Sequence, residues 1–239
     1  MSAAMPVTMR SVLIVLFAVL AIAGAELGSS MEGAQFLHYA FKPLTTLSIF
    51  FLAWRAQPAI NARYRQAILV GILFSLLGDI FLMLPISLLP QGFLLGLLSF
   101  LFAHLCFLRA LCSDTSFFAK PLVFAALAAL GAAHLFVLWP GLPPAMRMPV
   151  VAYVCLLLAM CAQAISRGIS LRTVDSRLAM SGGICFMLSD TILAYNKFYT
   201  PIPHSPLLIL GSYYLALWLI ARSVQASPSA HQNQGRDHA

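Results

Sequence analysis

The strongest constraint on this chain is that it falls into eight apolar runs, each of about the ~20 residues that a helix needs to cross a hydrocarbon layer. The runs cover roughly 11–28, 36–54, 66–85, 91–111, 119–139, 147–166, 177–197 and 206–223, with ends placed to within ~2–4 residues. Prolines punctuate them. Pro58, Pro85, Pro90, Pro140, Pro143, Pro144, Pro201, Pro203 and Pro206 fall between runs or at their margins. Pro43, Pro121 and Pro149 are expected in first turns, where a missing N–H costs little. Trp54 and Trp139 stand at run ends, where an indole straddles the interface.

Composition agrees. Hydrophobic residues make up 61% of the chain and charged ones 9%, and the mean hydropathy is +0.91. That is too little charge to cover a soluble domain of this length. The expected fold class is therefore all-α, a polytopic bundle of about eight spanning helices. Residues 1–226 form one transmembrane domain, and a polar tail, 227–239, is too poor in apolar residues to pack.

The formal charge of +7 does not point to nucleic acid, because the basic residues form no patch with interleaved aromatics. They follow topology instead. With the N-terminus inside, the cytoplasmic side receives Arg10, Arg55, Arg63, Arg65, Arg109, Lys120, Arg167, Arg172, Arg177, Arg222 and Arg236. The other side receives only Lys42, Arg147 and Lys197. This positive-inside bias predicts that both termini are cytoplasmic. A cleavable signal peptide ending near Ala23-Gly24-Ala25 is the competing reading of the first run; a retained helix is the simpler one. Short loops and small size fit a bacterial cytoplasmic membrane. The five cysteines lie in or beside apolar runs without a C-x-x-C pair and read as reduced packing residues.

Two residues break the apolar pattern. Asp79 lies within GILFSLLGDIFLML and Asp190 within GGICFMLSDTILAY. A charged aspartate at mid-span costs at least ~2.5–3.5 kcal/mol on insertion scales. Asp79 follows Arg65 by 14 residues and Asp190 follows Arg177 by 13, so at ~1.5 Å per residue their depths differ by only ~1–2 Å. If the third and seventh helices are neighbours, the carboxyls meet across one cavity. The alternative is that each aspartate simply bonds a neighbouring helix, through Ser75, Ser189 or Thr191. A pair at equal depth favours a functional site.

Other polar residues are candidates beside them. Lys42, flanked by His38, Tyr39 and Pro43, and Lys197 are the lysines of the sparsely charged side and suit a phosphate, although Lys197 also fits a snorkelling lysine. Asn196 suits a hydroxyl of the substrate or a helix cap. His104 sits within the fourth run, only five residues before Arg109, which places it nearer the cytoplasmic face than the aspartates; it reads as a water-orienting group or a packed histidine. His134 reads as structural. A divalent ion held by Asp79, Asp190 and His104 is the alternative, but no H-E-x-x-H or histidine cluster supports it. A chemistry without metal or cofactor is preferred.

These segments carry a resemblance. GDIFLML in the third run and FMLSDTILAYNKF in the seventh are similar to the YhhN family of membrane proteins, as are KPLTT (Lys42 to Thr46) and GLLSFLFAH (Gly96 to His104). The likeness spans nearly the whole chain. It implies a lysoplasmalogenase-like activity: hydrolysis of the vinyl-ether bond of an alkenyl-glycerophospho-ethanolamine or -choline to a fatty aldehyde and a glycerophospho-alcohol. Such a reaction needs one carboxylic acid to protonate carbon and one carboxylate to steady the oxocarbenium ion and activate water, as in glycosidases. Asp190 is the expected acid and Asp79 the stabiliser or base. Lys42, Tyr39, Asn196, Lys197, Ser189 and His104 are the expected substrate-side residues. Leu217 departs from the family pattern, where a glutamine is expected, and so bears on what the eighth helix contributes. The competing class is a proton- or cation-coupled transporter using the same aspartates.

Overall fold

The computed structural model describes residues 7–28, 31 and 33–226; the tail expected to be disordered lies outside them. Eight α-helices follow one another: α1 (Val7–Leu27), α2 (Ala34–Trp54), α3 (Ala62–Met83), α4 (Gly92–Leu111), α5 (Pro121–Leu138), α6 (Pro144–Leu171), α7 (Val174–Phe198) and α8 (Ser205–Arg222). A 3-10 turn, Trp139–Gly141, closes α5. All eight are long and apolar enough to cross a membrane. The chain is an all-α, multi-pass membrane protein.

Local signals set several ends. Asn61 caps α3, its side chain accepting from the Tyr64 N–H at 2.7 Å. Thr173 caps α7 through the Ser176 N–H at 3.4 Å. Both satisfy donors that the first turn leaves unpaired. Two prolines depart from expectation. Because α2 starts at Ala34 and α6 at Pro144, Pro43 and Pro149 lie inside helices instead of in first turns. The two helices start two and three residues before the expected 36 and 147, each less than one turn.

Seven helices close a ring in the order α1, α2, α3, α4, α6, α7, α8 and back to α1, with α8 also touching α2 and α3. Helix α5 stands outside, against α6 and the edge of α7, and buries only Gly131 and Leu138. Close approach of α3 to α4 needs small residues on α3. A Cβ at Gly78 would fall 2.6 Å from the Phe100 ring, so the residue beside Asp79 must be glycine for α4 to lie this near.

Polar ties lock both ends of the ring. On the arginine-rich side, buried Arg167 donates Nε to Asp114 at 2.8 Å and Nη2 to Asp114 at 2.7 Å and to Asp175 at 2.8 Å. Its guanidinium carbon stands 5.0 Å from the centre of the Tyr64 ring. One side chain thus joins α3, α6, α7 and the loop after α4. On the same side the Ile60 N–H donates to Val224 and the Ala226 N–H to Pro58, which fixes the end of α8 to the loop before α3. At the opposite side Glu26 of α1 accepts from the Leu207 N–H at 3.0 Å and lies 3.2 Å from His204 Nδ1, holding the start of α8.

Candidate active site

Asp79 occupies the inner face of α3, only 1% exposed. Its Oδ2 accepts from the Thr46 hydroxyl and from the Tyr213 hydroxyl, both at 2.7 Å. Its Oδ1 lies 3.5 Å from Lys42 Nζ, itself buried. The carboxylate is thus held by α2 and α8 and neutralised by one ammonium. That combination of opposite charge and hydrogen bonds is what burial of an ion demands. Although Leu217 is apolar and fully buried, α8 does contribute polarity, through Tyr213 one turn earlier.

Asp190 is held by a different set. The Tyr153 hydroxyl donates to its Oδ2 at 2.6 Å, and His104 Nε2 lies 3.3 Å from the same oxygen and 3.0 Å from the Tyr153 hydroxyl. Both contacts fall on Oδ2. Among the described residues Oδ1 accepts from none, and the side chain is 10% exposed. His104 was expected nearer the arginine-rich face than the aspartates. Its contact with Asp190 corrects that. Depth counted from Arg109 and Arg177 assumed that basic residues mark equal heights, but α6 and α7 run for 28 and 25 residues against 20 for α4, so their basic ends project further.

The two aspartates share a cavity of about 320 Å³. Its wall includes Lys42, Ser189, Asn196 and Lys197, together with His38 and Tyr213. Helices α3 and α7 do not form a packed pair, however. A series of ring contacts links the groups that hold the two aspartates. Tyr213 meets Phe100 and Phe186 edge-on at 5.7 Å and 5.6 Å, Phe186 meets His104 at 4.7 Å, and His104 meets Tyr153 at 5.2 Å. Such edge contacts are the favoured ones between rings. The series runs without a gap from the tyrosine that holds Asp79 to the pair that holds Asp190.

The remaining sequence candidates distribute as follows. Ser189 donates to the Ile209 carbonyl at 2.9 Å, tying α7 to α8 at the cavity wall. Asn196 accepts from the Ile202 N–H at 2.9 Å. Lys197 places its ammonium 5.2 Å from the Phe93 ring centre. Tyr39 accepts from the Gln35 side chain at 3.2 Å and is not part of the cavity wall. Ser75 and Thr191 bond carbonyls of their own helices, Gly71 and Met187. Thr46, Tyr153 and Tyr213 escaped the sequence reading. Among the described residues no three His, Cys, Asp or Glu side chains gather as a metal centre would need.

Two carboxyls lining one cavity of about 320 Å³, with lysines at its wall, are the kinds of group that general acid–base chemistry uses. Comparison with known proteins places the chain more closely. Lysoplasmalogenase TMEM86B of Sus scrofa is 35% identical over 191 residues, 80% of this chain and 76% of that protein. Lysoplasmalogenase TMEM86A of Homo sapiens is 34% identical over 190 residues, 77% and 76% of the two chains. The uncharacterized membrane protein YhhN of Escherichia coli O157:H7 is 27% identical over 199 residues, 82% and 91% of the two chains. No solved structure matches. The YhhN family model matches residues 37–224, which takes in every residue around both aspartates, and the chain belongs to the YhhN family.

Proposed function

We propose that the protein is a membrane-embedded lysoplasmalogenase, an ether hydrolase acting on a lysophospholipid whose single chain is joined to glycerol by a vinyl ether. The observation that carries this reading is that Asp79 and Asp190, each braced by its own tyrosine hydroxyl, line one cavity with Lys42 and Lys197. Relatives that match most of this chain bear the name lysoplasmalogenase, which supports the same reaction.

The steps follow from the substrate. A vinyl ether is electron-rich at its β-carbon, and protonation there gives an oxocarbenium ion. Asp190 is the proposed acid, because its Oδ1 is free of protein partners while Oδ2 is fixed. Asp79 faces the resulting cation as a carboxylate and takes a proton from the attacking water. Water forms a C–O bond to the α-carbon, giving a hemiacetal. The bond between that carbon and the glycerol oxygen then breaks, the glycerol oxygen taking the proton held by Asp79 while the hemiacetal hydroxyl gives its own to Asp190, to leave aldehyde and alcohol; one water is consumed and both carboxyls are restored. Lys197 at the cavity wall, together with Lys42, suits the phosphate, and Asn196 a glycerol hydroxyl. Helices α3 and α7 run unbroken through both aspartates, unlike the discontinuous helices common at transporter ion sites.

The test is to incubate the purified, detergent-solubilised protein with a lysoplasmenyl phospholipid and measure aldehyde. Wild type releases it, and folded Asp79→Asn and Asp190→Asn variants lose roughly 10²–10⁴-fold in rate, the range for a general acid or base. No release by folded wild type across pH and detergent overturns the reading. Ion-driven flux in proteoliposomes would replace it with the transporter.

A further inference from the structure

Behind Asp190 opens a second, apolar space, a narrow crevice of about 80 Å³ between α4, α5, α6 and α7. We propose that this crevice binds one unbranched hydrocarbon chain, entering sideways from the bilayer beneath α5, with the chain's polar end delivered at Asp190. The proposal deepens the hydrolase reading and rests on it for the identity of the chain.

The two spaces adjoin, with Asp190, Leu193, Leu82, Phe93 and Phe100 in the walls of both. Helical periodicity on α7 explains how. Asp190, Ala194 and Phe198 recur every four residues along the crevice, whereas Asp190, Leu193 and Lys197 follow the polar cavity. Positions three and four apart lie on one helical face, so Asp190 stands where the two stripes meet.

The crevice wall suits hydrocarbon and little else. Leu130 and Gly131 of α5 face Val154, Leu157 and Leu158 of α6. The polar side chains in the wall are already engaged. His134 Nδ1 and the Tyr195 hydroxyl are paired at 2.8 Å, Thr191 bonds Met187, and Tyr153 bonds Asp190. A methylene chain therefore meets few unengaged polar groups before Asp190, where Oδ1 is open.

Width and access fit one chain. Leu130 and Leu138, at the two ends of the α5 wall, are eight residues apart, about 12 Å of slot. The rim is open on the lipid side, where Leu130 is 42% exposed. Because α5 packs outside the closed ring, a chain can slide beneath it without disturbing the helices that hold the aspartates.

The test uses the full chain in nanodiscs of diacyl phosphatidylcholine. The probe is a saturated 1-alkyl lysophospholipid with a photoreactive diazirine at its chain end. Lacking a vinyl ether, it binds without being hydrolysed. Labels are expected within residues 130–138, 154–158 and 187–198, and to fall roughly tenfold on adding excess unlabelled 1-alkyl lysophospholipid. In Gly131→Leu, whose side chain must enter the space held by Leu158, crevice labelling falls by a similar factor. Phe136→Leu, on the lipid-facing side of α5 at 83% exposure, leaves it unchanged. Should Gly131→Leu fail to fold, the wild-type map decides alone. Labels spread evenly over the outer faces of α1 and α2, or equal competition by added diacyl lipid, overturn the proposal. Crevice labelling without aldehyde release from a vinyl-ether substrate leaves the chain site standing and removes the hydrolase. Aldehyde release with labels elsewhere removes the chain site alone.

Discussion

Tyr153 donates its hydroxyl to Asp190 at 2.6 Å from a helix, α6, whose sequence gives no hint of a site. The bond fixes one carboxyl oxygen and leaves the other towards the substrate spaces. Hydrogen bonds to charged groups contribute about 1.5–3 kcal/mol, so Tyr153→Phe should lower kcat by roughly 10- to 150-fold while KM changes little. Steady-state aldehyde release checks this split. A rise in KM with kcat intact would mean that Tyr153 touches substrate and does not position the acid.

Lys42 and Asp79 are both buried, and their 3.5 Å pairing predicts an asymmetry. Lys42→Met alone leaves a buried carboxylate without its counter-ion and should destabilise by about 3–5 kcal/mol. Combining it with Asp79→Asn removes the stranded charge and should recover most of that stability, but no activity. Thermal unfolding of the two single variants and the double variant gives the coupling; strict additivity would argue against a direct pair.

Arg167 offers a control far from the chemistry. Replacing it by Met removes the cation that bridges buried Asp175 and the more exposed Asp114 and should cost about 1–3 kcal/mol. The expected result is less folded protein, with unchanged aldehyde release per folded molecule. Quantifying folded protein by size-exclusion chromatography alongside activity separates the two. A selective fall in kcat would show that the arginine-rich end communicates with Asp190.

The spans were legible because the length of an apolar run is itself the signal for crossing a bilayer, and the eight runs became eight helices. Asp79 and Asp190 were legible for the same reason, since a carboxyl in hydrocarbon is costly enough to stand out. Their tyrosine and threonine partners were not. Tyrosine and threonine are ordinary in spanning helices, and nothing in FLHYAFKPLTT or GSYYLALW announces that Thr46 and Tyr213 converge on a residue of α3. Convergence depends on which helices are neighbours. Here α3 and α7 are linked through α8, α4 and a run of aromatic rings instead of by direct packing. His104 was misjudged because depth was measured from arginines on helices of unequal length.

Asp190 also stands at a border between solvents. A bond broken there divides an amphiphile at its own waist, the oily fragment lying in a slot open to lipid and the charged fragment in a cavity walled by lysines. On the proposed reading the two products would leave in different directions and dissolve in different phases, and separation of that kind would make their re-encounter at the site rare.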